Sequence, residues 1–137
     1  MSAAAELAAL LKPPQPGLRL IHLHLGRLQS APSPELRQAI RQVLRGLGKQ
    51  ADAWRLFDMA NGDLLMLYQG LRYTAAETAC KEIAGLLPGA ALTGLHPYPT
   101  PDAIVVNDPG PAGPLYDILE LTSTAERVLR YLENAGA

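Results

Sequence analysis

Residues 53–68, which read AWRLFDMANGDLLMLY, decide the fold predicted for this chain. They hold two strand-like runs, at 54–59 and 63–68, on either side of the dipeptide Asn61-Gly62. Asn-Gly is the strongest short signal for a tight hairpin, because both turn positions then adopt positive φ. We therefore expect two antiparallel strands here. The continuously apolar second run predicts a central strand that is covered on at least one face.

A further strand is predicted upstream, within residues 18–28, where aliphatic residues alternate with His22 and His24. Successive side chains of a strand point to opposite faces, so both histidines should lie on one face and the aliphatic residues on the other. The aliphatic set consists of Ile21, Leu23 and Leu25.

A helix should separate this strand from the hairpin, over residues 33–47. Ser33 is placed to cap it, Pro34 occupies the first helical position and Gly48 ends it. The solvent face of this helix carries an arginine stripe that consists of Arg37, Arg41 and Arg45.

Two later segments start with a capping-box pattern. In this pattern the side chain of the first residue caps the helix, and the side chain of the fourth residue accepts a hydrogen bond from the backbone amide of the first. Thr74 and Glu77 predict one helix at 74–87, and Ser123 and Glu126 predict another that runs through residue 132. A short amphipathic helix is predicted at residues 1–11, before Pro13.

The order of these elements predicts an α/β (α+β) domain of the ferredoxin-like βαββαβ type. Its sheet should be four-stranded and antiparallel, with the two internal helices on one face plus terminal helices. Residues 1–16 would form an N-terminal helix with a proline-rich linker, and residues 17–137 a single domain. A proline-rich loop at 88–114, with a possible edge strand at 103–106, would precede the fourth strand at 115–121.

The hairpin resembles that of diguanylate cyclase (GGDEF) domains, which share the βαββα order and carry a Gly-Gly-Asp/Glu-Glu-Phe signature between their second and third strands. The similarity extends over residues 17–87. It implies a degenerate signature turn in which Gly62 and Asp63 keep a glycine and an acid at roughly matching places. The turn consists of Ala60, Asn61, Gly62, Asp63 and Leu64.

The departures from that family predict an inactive domain. A cyclase holds two Mg²⁺ ions on carboxylates of its first strand and its hairpin, and triphosphate chemistry depends on that pair. Residues 22–27, HLHLGR, contain no acid, and Leu64 stands where the signature has Glu. We interpret Asp63 as an ordinary turn residue beside Asn-Gly. We therefore expect no catalytic residue, no bound metal, no cofactor and no cyclic-di-GMP site.

Composition narrows the possible partners. The net charge of −1 and seven aromatic residues do not favour a nucleic-acid surface. The sequence has no apolar run long enough for membrane insertion. The single cysteine, Cys80, excludes an internal disulfide, is interpreted as a small buried residue, and is consistent with a cytoplasmic protein.

We therefore expect a non-catalytic regulatory or protein-interaction domain of a bacterial cytoplasmic signalling protein, which binds a protein partner or forms a homodimer. Its interaction surface would comprise the arginine stripe and the sheet face that carries His22 and His24. That face still needs cover, which the N-terminal helix, the last helix or a second subunit could provide.

The alternative is a sensor of a small ligand or a metal that uses the same histidine face. Two histidines at positions i and i+2 of a strand lie about 7 Å apart, a spacing at which both can bind one zinc ion. The third ligand would come from one of three residues: His96, Asp58 or Asp117.

Overall fold

The computed structural model describes residues 2–12, 16–27, 32–87 and 116–135. In chain order the elements are helix α1 (Ala3–Leu11), strand β1 (Arg19–Leu23), a 3₁₀ turn (Leu25–Arg27), helix α2 (Pro34–Gly48), strands β2 (Ala53–Asp58) and β3 (Leu64–Gln69), helix α3 (Tyr73–Leu86), strand β4 (Tyr116–Glu120) and helix α4 (Leu121–Ala135). The predicted edge strand at 103–106 and His96 lie outside the described residues.

The described strands form one four-stranded antiparallel sheet in the order β2-β3-β1-β4. Leu20 faces Leu67 of β3 on one side and Leu119 of β4 on the other. The hairpin places β3 beside β2, and the two helical crossovers place β1 between β3 and β4. This is the ferredoxin-like βαββαβ arrangement, and it confirms the predicted fold class.

One face of the sheet is covered by the two internal helices, α2 and α3. Ile21 and Leu23 of β1 belong to this core together with Ile40 and Leu44 of α2 and Ile83 of α3. The predicted alternation is confirmed along β1, which is shorter than predicted, and Leu25 lies in the same core from the 3₁₀ turn that follows.

The terminal helices α1 and α4 cover the opposite face. Leu7 of α1 and Val128 of α4 pack there against Leu20, Leu65 and Phe57. Because both faces are covered, the apolar run of β3 is buried along its whole length from Leu64 to Tyr68. Of the three candidates for covering this face, the N-terminal helix and the last described helix both pack on it.

The hairpin turn differs from the predicted two-residue type. Gly62 has a φ of 96°, and Asn61 is not among the residues with positive φ. The amide of Met59 donates to the carbonyl of Asp63, and the amide of Gly62 donates to the carbonyl of Met59. The loop thus contains three residues, 60–62, and only its last position requires a glycine, as in hairpins that combine a tight turn with a bulge.

Of the three predicted capping residues, one is confirmed and two are wrong. Ser33 caps α2, with its hydroxyl 3.1 Å from the amide of Leu36. Helix α3 begins at Tyr73 after Arg72, without a side-chain cap, and Thr74 instead receives a hydrogen bond from the Thr78 hydroxyl at its carbonyl. Helix α4 follows directly on β4, at Leu121, so Ser123 lies inside the helix.

No helix in the described part of the chain combines the length and the apolar character that crossing a bilayer requires.

Candidate functional site

The two histidines of the first strand lie inside the protein. His22 and His24 are both 0% exposed, on the sheet face that α4 covers. Their ring centroids are 4.0 Å apart, and the ring of Tyr131 from α4 lies 4.5 Å from that of His22. The prediction that these residues form an interaction surface is therefore wrong, because the terminal helices bury the sheet face that carries them.

Asp63 lies at the centre of the polar cluster around these histidines. It precedes β3 and, at 2% exposure, is buried. Its Oδ1 accepts a hydrogen bond from the amide of Gly26 at 2.8 Å, and its Oδ2 lies 2.7 Å from Nε2 of His22. The Tyr131 hydroxyl also donates to Oδ2. The interpretation of Asp63 as an ordinary turn residue is therefore wrong, because its carboxylate turns inward and joins three separate elements.

Asn61 fixes the loop around this carboxylate. Its side-chain oxygen accepts from the amide of Asp63 at 3.0 Å, and its side-chain nitrogen donates to the Tyr131 hydroxyl at 3.0 Å. The Asn-Gly pair thus has two separate tasks, in which Gly62 supplies the positive φ and Asn61 connects the turn to α4.

His24 has its own carboxylate partner on the neighbouring strand. Its Nε2 lies 2.7 Å from Oδ2 of Asp117, whose side chain is 21% exposed. In the β1–β4 register Asp117 faces His22, so the bond to His24 runs diagonally across the two strands. The cluster thus contains two imidazoles, each within hydrogen-bonding distance of an acid.

Burial determines the charge states in this cluster. It lowers the pKa of His22 from 6.5 to about 4, and the hydrogen bond to Asp63 offsets only part of that effect. Burial alone would raise the pKa of Asp63, but the hydrogen bonds from His22, Tyr131 and the Gly26 amide outweigh it and bring the pKa to about 2. At neutral pH the pair therefore consists of a neutral imidazole that donates to an ionised carboxylate.

The arginine stripe on α2 is divided between a half-buried part that forms ion pairs and an exposed part. Arg37 and Arg41 both form ion pairs with Asp58 of β2, and Arg37 also donates to the carbonyl of Gly62 at 3.0 Å. Asp58, which was one of the possible third metal ligands, is thus held by the two arginines, and Arg45 lies on the exposed surface.

The remaining residues of the signature turn take different positions. Ala60 is exposed, whereas Leu64 is 1% exposed and belongs to the core under α2 and α3. Cys80 is buried, as predicted, and burial raises the pKa of its thiol to about 12. A thiol with so high a pKa stays protonated and is a poor nucleophile.

The arrangement allows two kinds of chemistry. It can act as an internal hydrogen-bond network that locks β1, the hairpin, β4 and α4 together. It can also bind a cation, because one ligand atom from each of His22, His24 and Asp63 lies within 4.8 Å of the others. Burial keeps these groups away from a large substrate.

Sequence reasoning missed Asp63, Tyr131 and Asn61 as members of this cluster, although the sequence pattern contained a signal for the first two. Asp63 shares the period-two pattern of Leu65, which places both on the same face of β3. Tyr131 follows Val128 by three positions, which places it on the buried stripe of α4.

Comparison of the chain with models of protein families, with curated proteins and with solved structures found no match. The resemblance to GGDEF domains therefore stays a prediction that depends on the hairpin residues themselves.

Proposed function

We propose that this chain is a non-catalytic regulatory domain of a bacterial signalling protein, derived from a GGDEF-like fold, that acts by protein–protein association, in the first place with a second copy of itself. The observation that carries the proposal is the inward orientation of Asp63. It is the one carboxylate of the degenerate signature turn, residues 60–64. A carboxylate with 2% exposure, under a helix, does not reach a triphosphate in solvent.

The charges around the turn also argue against nucleotide chemistry. Triphosphate transfer needs two divalent ions between the protein and the phosphates. Asp58, at the other end of the loop, is neutralised by Arg37 and Arg41. With one carboxylate buried and the other paired, the outer surface of this turn offers little to hold a metal pair.

The exposed surface that best fits association lies where α2 meets the edge strand β2. Trp54 is 36% exposed and its indole packs against Gly48 at the end of α2. Arg45 lies three residues before Gly48, on the same side of the helix. Tryptophan and arginine are the residue types most enriched among those that dominate binding energy at protein interfaces.

Light scattering over a range of protein concentrations tests the association. We expect a concentration-dependent dimer that is weakened at least tenfold by Arg45→Glu. Lys81→Glu, on the exposed face of α3, is the matched control and should leave the dimer unchanged. A monomer at all concentrations, or equal weakening by both charge reversals, would contradict the proposed surface.

Incubation with GTP and either Mg²⁺ or Mn²⁺ tests the lack of catalysis. We expect no pyrophosphate release and no cyclic dinucleotide above the level of a heat-denatured sample. Turnover that is lost in Asp63→Asn would overturn the proposal, because the turn would then hold its ions after all.

A further inference from the structure

We propose that His22, His24 and Asp63 form an internal binding site for a single divalent transition-metal ion, with Zn²⁺ as the best fit. The inference does not depend on the proposed regulatory role. It comes from the side chains that the sheet face under α4 brings together, and it concerns an ion that is enclosed in the fold.

The spacing of the ligand atoms fits one ion. A tetrahedral zinc with bonds of about 2.0–2.1 Å places its ligand atoms about 3.3 Å from one another. In the cluster, Nε2 of His22 lies 2.7 Å from Oδ2 of Asp63, and the candidate ligand atoms of all three residues lie within 4.8 Å. The separation between His22 and Asp63 is shorter than the required value and no pair of ligand atoms is more than 4.8 Å apart, so side-chain adjustments of about 1 Å would be enough.

The donor set selects the kind of metal. Two imidazoles and one carboxylate suit Zn²⁺ and its neighbours in the first transition row, whereas Mg²⁺ and Ca²⁺ prefer oxygen ligands alone. The same residues leave no large opening for a substrate, since each is at most 2% exposed. A buried ion of this kind would stabilise the fold.

The surrounding residues supply the outer contacts that metal ligands usually have. Such ligands are commonly held by a second group that fixes their orientation. The Gly26 amide holds Oδ1 of Asp63, which leaves Oδ2 directed at His22. Asp117 lies 2.7 Å from Nε2 of His24 and would orient that ring. The Tyr131 hydroxyl, held by Asn61, completes this outer set.

The ion would connect parts of the chain that are far apart in sequence. His22 lies in the first strand and His24 just after it, Asp63 lies at the end of the hairpin loop, and the outer residues include members of β4 and α4. A bond between the ion and each of the three ligands would close the same junction that the hydrogen bonds close in its absence. Metal binding should therefore raise the unfolding temperature without changing the fold.

The test uses the full chain, stripped of metal with a chelator and titrated with Zn²⁺ in a calorimeter. We expect binding of one ion per chain. At a hundredfold excess of Zn²⁺ over its Kd the melting temperature should rise by roughly 5–10 °C. Titration with Co²⁺ should give the visible absorption of a tetrahedral site, and Zn²⁺ should abolish it.

Two variants and one matched control locate the ion. Asp63→Asn and His24→Gln should each weaken Zn²⁺ binding at least tenfold. Asp58→Asn removes a carboxylate from the same hairpin, on the arginine-paired side, and should bind as the unmodified chain does. Binding that persists in both cluster variants, or that is lost in Asp58→Asn, would overturn the assignment.

A direct measurement covers the case in which a cluster variant fails to fold. The imidazole nitrogens of the unmodified, ¹⁵N-labelled chain report metal ligation through their chemical shifts. We expect one nitrogen of His22 and one of His24 to shift together when one equivalent of Zn²⁺ is added. If neither shifts, or if no ion binds, the cluster is a hydrogen-bond network only and the proposal is wrong.

Discussion

Gly26→Ala should be one of the most damaging single-methyl additions in this protein. Gly26 lies in the 3₁₀ turn after β1, where the chain passes close to the hairpin loop. A methyl group there would lie 2.9 Å from Oδ1 of Asp63 and even closer to the backbone carbonyl of Asn61. Neither group can withdraw easily, because the first is hydrogen-bonded within the cluster and the second belongs to the backbone.

The size of the effect follows from two contributions. Overpacking of a tight contact costs about 1–3 kcal/mol. Displacement of the Gly26 amide from the Asp63 carboxylate, now at 2.8 Å, removes a hydrogen bond to a charged group that contributes about 1.5–3 kcal/mol. Together they predict a loss of roughly 3–5 kcal/mol in the free energy of unfolding, which with an m-value of about 2 kcal/mol/M moves the urea midpoint down by roughly 2 M.

Urea denaturation followed by far-UV circular dichroism measures this loss, and the chain offers a matched control. Gly46 lies on the exposed side of α2, with no atom within 4 Å of an added methyl group. Gly46→Ala should raise the free energy of unfolding by about 1 kcal/mol, because alanine is the better helix former. If the two variants shift the midpoint in the same direction by similar amounts, the described contact between the 3₁₀ turn and the hairpin is wrong.

Three further predictions concern the cluster and the first crossover helix. Lowering the pH from 6.5 to 4 should reduce the free energy of unfolding of the metal-free protein by about 3 kcal/mol. In that window only the unfolded chain protonates His22, because its pKa in the fold is about 4. Urea titrations at several pH values measure the effect, and a free energy that does not change with pH would contradict it. Tyr131→Phe should lower the free energy of unfolding by about 1.5–3 kcal/mol, since the Asp63 carboxylate loses a buried hydrogen-bond donor. Thermal unfolding measures this loss. Tyr73→Phe, at an exposed position, is the control and should change the stability very little. Ser33→Ala should lower the free energy of unfolding by about 1 kcal/mol, because α2 loses its cap. Ser2 caps the shorter helix α1, so Ser2→Ala is the control. A change in urea midpoint for Ser33→Ala that is no larger than that for Ser2→Ala would argue against the prediction.

The sequence predicted the fold because its local signals agree with one another. The alternation along β1, the capped α2 and the two strands around Asn61-Gly62 each indicate one element, and their order leaves few topologies. The turn was predicted less well, since Asn-Gly fits both a two-residue loop and the three-residue loop that is present. The false starts at Thr74 and Ser123 have a similar cause, because the capping pattern also occurs in the first turn of a helix that has already begun.

The cluster could be predicted only in part. The period of β1 places His22 and His24 on one face, but it does not say what covers that face. Whether this face is buried depends on how α1 and α4 pack against it. Contacts between segments that are distant in sequence cannot be predicted from local periodicity. The partner of His22 depends on the register of β1 against β3, which a one-residue slip would change completely. From the sequence alone, Asp117 is therefore only one of three possible third metal ligands, and Asp63 is interpreted as a turn residue.

The spread of this cluster along the chain has a consequence for the nascent protein. His24 and Asp117 are 93 positions apart, which at about 5–20 residues per second corresponds to roughly 5–20 s of translation. By the end of that interval the first strand and the hairpin have been synthesised, while the sheet face that α4 will cover is still open. Assembly of this face must therefore finish after α4 has been synthesised, and until then the growing chain presents an apolar surface of the kind that chaperones bind.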